Sequence, residues 1–205
     1  DKIYSKTRRD FSVERTCSTQ IDIYNSILEK ERRRKVNKRD GVILCGAYGI
    51  SNAGDDAILE TILYELREYD ANMPVYVMTR NPRMMSVRYR VNTIYVFNFL
   101  SFMHRMRKTK IYLNGGGSLI QDATSSRSLH FYLFTLRAAK KRGNKVLMFG
   151  CGYGPINRSL NRKRAVSTIN KCVDAITLRE DSSFHEIKES GICKPEIFLS
   201  ADPSL

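Results

Sequence analysis

The feature that most limits the fold is an alternation that begins at residue 41. Short apolar runs recur: VILCG (42–46), PVYVMT (74–79), VNTIYVF (91–97), KIYLN (110–114), KVLMFG (145–150), DAITLR (174–179) and EIFLSADP (196–203). An apolar run of about five residues fits a strand buried on both faces. Longer amphipathic runs lie between them. Over 54–69, Ala57, Ile58, Ile62, Leu63 and Leu66 share one helical face, and similar runs fall over 128–143, 160–173 and 181–191, with a shorter one over 99–108. The stretch 80–90, with four arginines, is assigned no element. This alternation predicts an α/β fold with a doubly wound, mainly parallel, Rossmann-like sheet over residues 41–205. Residues 1–40 read as a separate basic extension or linker, helical or disordered. Its front half reads as loop or disorder, followed by one amphipathic helix over 18–38 carrying Ile21, Ile23, Tyr24, Ile27 and Leu28.

Composition narrows the function classes. Hydrophobic content of 42% supports a core, and no apolar run approaches the roughly 20 residues of a membrane span. No apolar leader opens the chain, so the expected location is cytoplasmic. The first residue is not Met and the chain stops at SADPSL, which reads as a piece of a longer protein. Five cysteines (17, 45, 151, 172 and 193) form no C-x-x-C pair. Cys45, Cys151 and Cys172 read as small buried hydrophobes. Three histidines show no ligand spacing, so no metal site is expected.

Net charge is +14, and residues 71–173 hold 19 Lys/Arg against one acid, Asp122. Such a surface is either a solvated basic face without a specific partner or one expected to attract anions: phosphorylated metabolites, phospholipid headgroups or nucleic acid. No helix-turn-helix, zinc-finger or RNA-recognition signature is present, so no specific nucleic acid partner is expected. The basic run EKERRRKVNKRD (29–40) is either a solvated linker or a peripheral contact with the anionic inner face of a membrane.

Ligands of such sheets bind at the carboxyl ends of the strands. Three glycine-rich loops follow strands here, at 46–54, 114–118 and 150–154. The first has neither the Walker ending nor G-x-G-x-x-G spacing. Its helix opens with Asp55 and Asp56, either of which could serve only as a cap. An acid there excludes phosphate, so Asn52, Gly54 and a carboxylate are expected to meet sugar hydroxyls. In the second loop, the amides of Gly116 and Gly117 and the hydroxyls of Ser118, Thr124, Ser125 and Ser126 could line a polar pocket. Asp122, in the same loop, is a candidate substrate contact, and Arg127, at a helix start, points either to a ligand or to a salt bridge with Asp122. Gly152 belongs to the third loop. Arg179, at a strand's carboxyl end, can grip carboxylate or phosphate, or pair with Glu180 or Asp181.

As a set, GAYGISNAGDDAIL (46–59), LNGGGSLIQDATSSRSLHFYL (113–133), VLMFGCGYGPI (146–156), ITLREDSS (176–183) and SADPSL (200–205) resemble the polysaccharide pyruvyl transferase family, in particular its cell-wall members. The resemblance covers 41–205 and implies the N-terminal half of a two-domain, type B glycosyltransferase-like architecture. It implies transfer of pyruvate from phosphoenolpyruvate, as co-substrate, to two hydroxyls of one sugar, with release of phosphate and no metal or organic cofactor. The acceptor would be a cell-surface polysaccharide precursor, lipid-linked or nucleotide-linked. Asp55 and Arg179 match catalytic positions. Asn52, Gln121, Ser125 and Arg127 match acceptor contacts. The family's second domain supplies a histidine that none of His104, His130 and His185 matches. Two other readings stand beside this one: a type B glycosyltransferase with a nucleotide-sugar donor, and a non-catalytic glycan- or anion-binding domain.

Overall fold

The computed structural model describes residues 39–50 and 52–200. The expectations for residues 1–38, and for a last strand reaching 203, lie outside them. Among the described residues the chain alternates without exception: β1 Val42–Cys45, α1 Ala53–Tyr69, β2 Val75–Thr79, α2 Pro82–Tyr89, β3 Asn92–Tyr95, α3 Phe99–Met106, β4 Ile111–Gly115, α4 Ser126–Lys141, β5 Lys145–Cys151, α5 Ser159–Cys172, β6 Ala175–Leu178, α6 Asp181–Glu189 and β7 Glu196–Leu199. One seven-stranded sheet results, ordered β3-β2-β1-β4-β5-β6-β7, with every neighbouring pair parallel.

The period-two geometry of a strand explains the two layers around it. In β1, Val42 and Leu44 enter one core with Ile58, Ile62 and Leu66 of α1 and Met85 of α2. Ile43 and Cys45 enter the other, with Phe102 of α3, Leu133 of α4, Ile169 of α5 and Ile187 of α6. All four β1 side chains are fully buried, which is why the sequence shows an unbroken apolar run rather than alternation. Cys45, Cys151 and Cys172 are buried free thiols, as expected, and burial pushes Cys45 and Cys151 up to about 12.

α2 is the element missing from the sequence reading. Asn81 caps it by accepting from the Met84 amide at 3.2 Å, and Pro82 presets its first turn. Only Met85 and Tyr89 are buried, so two apolar contacts one turn apart carry the whole pattern. Arg90, at φ 52°, ends it in the left-handed conformation usually taken by glycine.

The order of strands reverses between β1 and β4. The chain leaves β1 for α1 in one layer and leaves β4 for α4 in the other. Diverging connections open a crevice at that point, at the carboxyl edge of the sheet.

Candidate functional site

The first wall of the crevice is the start of α1. Asn52 is the N-cap, its side-chain oxygen accepting from the Gly54 amide at 3.2 Å. Its Nδ2 donates to Asp55 Oδ2 at 2.6 Å. Neither acid of the first turn therefore acts as the cap. Asp56 Oδ2 instead accepts from Arg88 Nη1 at 3.3 Å, and its buried Oδ1 has no hydrogen-bond partner among the described residues. Asp55 is the acid that lines the crevice, and it is only 8% exposed. Burial holds its carboxyl above the ordinary carboxylate range; the Asn52 bond and the Arg179 charge pull the other way, and Asp56 adds to the rise.

The second wall is the turn after β4. Gly117, at φ +66°, brings bare backbone against the acid: a Cβ there would stand 3.0 Å from Asp55 Oδ1. Its carbonyl accepts from the Gly152 amide at 3.1 Å, tying the second glycine loop to the third. A Cβ on Gly152 would lie 2.3 Å from Ser118 Oγ, so only glycine lets these two loops close on one another. Gly116 packs on Ile58 and shapes the turn from behind.

Arg179 completes the site. It follows β6, and its amide donates to the Cys151 carbonyl at 3.3 Å. A register shift between β5 and β6 precedes this point, where Thr177 Oγ1 accepts from the Gly150 amide at 2.7 Å. Arg179 lines the same 520 Å³ crevice as Asn52, Gly54, Asp55, Gly117, Ser118 and Gln121. Gln121 is fixed by Thr124, which accepts from Nε2 at 2.6 Å and donates its amide to Oε1 at 3.1 Å.

Five residues expected at the site stand elsewhere. Gly116 and Gly152 form the turns without lining the crevice. Asp122 turns away from it and accepts from the Asn157 and Arg158 amides at 2.7 and 3.1 Å and from Asn161 Nδ2 at 2.8 Å. The Asn161 bond is the largest cause that holds its carboxyl below the usual range, and the two amides add to it. Asp122 thus anchors the chain entering α5, and the alternative salt bridge to Arg127 is not formed. Ser125 caps α4, accepting from the Ser128 amide at 3.3 Å. Ser125 and Arg127 line a neighbouring cavity of about 310 Å³, with Arg80 and Phe97. The two cavities share Ala47, Ile50, Ser128 and Tyr132. Arg80, Ser128 and Tyr132 were not anticipated. Tyr132 lies one turn beyond Ser128 on α4, a spacing that could have marked both.

No histidine lines the crevice among the described residues. His130 Nε2 lies 3.1 Å from Asn161 Oδ1, and His185 lies 3.3 Å from Asp181. No group of three potential metal ligands occurs among the described residues. No helix there is long and apolar enough to cross a membrane.

A family profile described as "Polysaccharide pyruvyl transferase" matches residues 52–205. No curated protein matches significantly. Among solved structures, HepE of Anabaena, crystallised in complex with UDP, superposes with a TM-score of 0.52 at 9% identity. The match covers 79% of this chain and 44% of that one, so this chain spans less than half of HepE's length. At that identity the likeness is one of fold.

Proposed function

This chain belongs to the polysaccharide pyruvyl transferase family, and we propose that its crevice holds the reacting ends of phosphoenolpyruvate and a sugar. One observation carries the reading: a buried carboxylate, Asp55, and an arginine, Arg179, line one crevice where the strand order reverses.

The chemistry asks for these two groups. Phosphoenolpyruvate and a sugar diol give a cyclic ketal and inorganic phosphate. One hydroxyl proton ends on the donor's methylene carbon, which becomes a methyl group; the other leaves with phosphate. Arg179, which lines the crevice, takes the donor's carboxylate in this reading, since a guanidinium can grip a carboxylate in two-pronged fashion. Asp55 accepts a proton from the attacking hydroxyl, and a raised pKa makes it a stronger base than a solvated aspartate. Asn52, Ser118 and Gln121 offer the acceptor uncharged partners. A phosphate would meet repulsion beside Asp55, so the donor's phosphate is placed on the Arg179 side. In this reading, protonation of the methylene carbon falls to a histidine of a second domain, residues 41–205 form the first, and no metal or organic cofactor takes part. The acceptor is a lipid-linked or nucleotide-linked precursor, met at the cytoplasmic face of the membrane.

The test is phosphate release from phosphoenolpyruvate by the full-length protein against a panel of cell-envelope glycans. Release that depends on one acceptor is expected. Nucleotide release from a nucleotide sugar, without consumption of phosphoenolpyruvate, would replace this reading with a glycosyltransferase. No turnover with any acceptor would remove both.

A further inference from the structure

We infer that the outer face of α3 and α4 is a docking surface for an anionic lipid bilayer. Leu100 is 86% exposed, and Phe97, Phe99 and Phe134 are exposed beside it. Single exposed apolar residues are ordinary, but these are joined. The Phe99 and Phe134 rings meet edge to face with centroids 5.6 Å apart. Phe97 and Phe131 line the same cavity, and Phe131 lies one turn before Phe134 on α4. The result is an apolar ridge built on the Phe99–Phe134 pair, with exposed Phe97 and Leu100 close to Phe99 in the chain.

Cations flank the ridge. Exposed Arg107 and Lys108 close α3. Along α4, Arg127, Phe134 and Lys141 follow at seven-residue steps, which places them on one stripe. Asp122, the lone acid among residues 71–173, is held by Asn157, Arg158 and Asn161.

Charge decides the occupant. A second copy of this chain would bring the same cations against this face and repel. A bilayer with acidic headgroups attracts Lys and Arg while accepting aromatic and leucine side chains at the interface. The inference gives the membrane contact of the proposed function a location, and rests on that reading only for its purpose.

The chain contains no Trp, so Leu100→Trp supplies a single fluorescent reporter. Tyr64→Trp, on the exposed side of α1 in the opposite layer, supplies a control. The full chain carrying each change is mixed with phosphatidylglycerol–phosphatidylcholine vesicles. Emission from Trp at 100 is expected to shift to the blue while that at 64 stays fixed, and pure phosphatidylcholine should give no shift. The double variant Phe97→Glu/Leu100→Glu, with its melting temperature checked, should lose binding by about tenfold or more. Wild-type binding in that variant would overturn the inference and assign vesicle contact to the basic run 29–40. Equal shifts at 64 and 100, or no shift at 100, would also overturn it. Vesicle binding needs no turnover, so neither failure bears on the phosphate-release test.

Discussion

Asn52 holds Asp55 from the same position that it caps. One end of its amide accepts from Gly54 N at 3.2 Å, and the other donates to Asp55 Oδ2 at 2.6 Å. A single side chain thus starts α1 and aims the acid at the crevice. The two tasks are separable because serine can cap but is too short to hold the carboxylate in the same way.

Asn52→Ala should cost about 1 kcal/mol of stability through the lost cap. Asn52→Ser should melt close to the parent protein. Both should lower turnover, because Asp55 loses its donor in each. Urea titration and acceptor-dependent phosphate release measure the two effects separately. Full turnover in the serine variant would show that Asp55 needs no such hold.

Asp55→Asn should trade stability against activity. Burial raises the folded-state pKa of Asp55 above its unfolded value. The protonated form is therefore the one the fold favours. Its contribution is fully present below the ordinary carboxyl value, near 4, and is lost as pH rises through the raised value. At neutral pH the charged carboxylate is a liability, which asparagine removes while still accepting from Asn52. The variant should gain about 0.5–2 kcal/mol at pH 7, and the gain should vanish in acid. Turnover should fall by about 10²–10⁴. Melting curves at several pH values test the first part, because a gain independent of pH would exclude the titration of Asp55 as its cause.

Gly117→Ala and Gly191→Ala separate two costs. Both glycines have positive φ, +66° and +83°. A Cβ at 191 meets nothing within 4 Å, so that variant loses only the backbone term, about 1–2 kcal/mol. At 117 the same Cβ stands 3.0 Å from Asp55 Oδ1 and must displace it. Gly117→Ala should therefore lose at least as much stability and most of its turnover, while Gly191→Ala keeps its activity. Equal turnover in the two variants would uncouple Gly117 from Asp55.

How much the sequence disclosed follows from how each feature is encoded. The central strands β1, β4 and β6 were legible because both of their faces are packed, so Val42 to Cys45 carry no polar interruption. α2 was not, since Met85 and Tyr89 alone mark its buried side. Arg179 and the pair Asp55/Asp56 could be nominated because loops after parallel strands converge, whatever their spacing in the chain, while only the family resemblance singled out Asp55 of the two. Asp122 could not be placed, because its partners at 157, 158 and 161 lie 35 to 39 residues away in an unrelated helix start. Arg39 was read as part of a basic linker, since a charged run gives no sign of which member will meet buried carbonyls.

That arginine supports the last prediction. Its Nε donates to the Thr109 carbonyl at 2.9 Å and its Nη1 to the Arg142 carbonyl at 2.8 Å. Its Nη2 reaches the Met106 carbonyl at 2.6 Å and Asn144 Oδ1 at 3.0 Å. One guanidinium thereby ties the ends of α3 and α4 to the chain entering β4 and β5. A cation at two helix carboxyl ends also meets the negative end of each dipole. Arg39→Ala leaves these carbonyls to water or to nothing, and should cost about 2–4 kcal/mol. Arg39→Lys should recover less than half, because one ammonium cannot span a fork of acceptors set by a planar group. Both variants should keep their turnover below the melting temperature, since this clamp lies at the amino end of β4 and β5 and the crevice at the carboxyl end. Urea unfolding with an unchanged m-value is the measurement. A loss near that of an ordinary exposed arginine, under about 0.5 kcal/mol, would mean that water replaces the clamp without penalty.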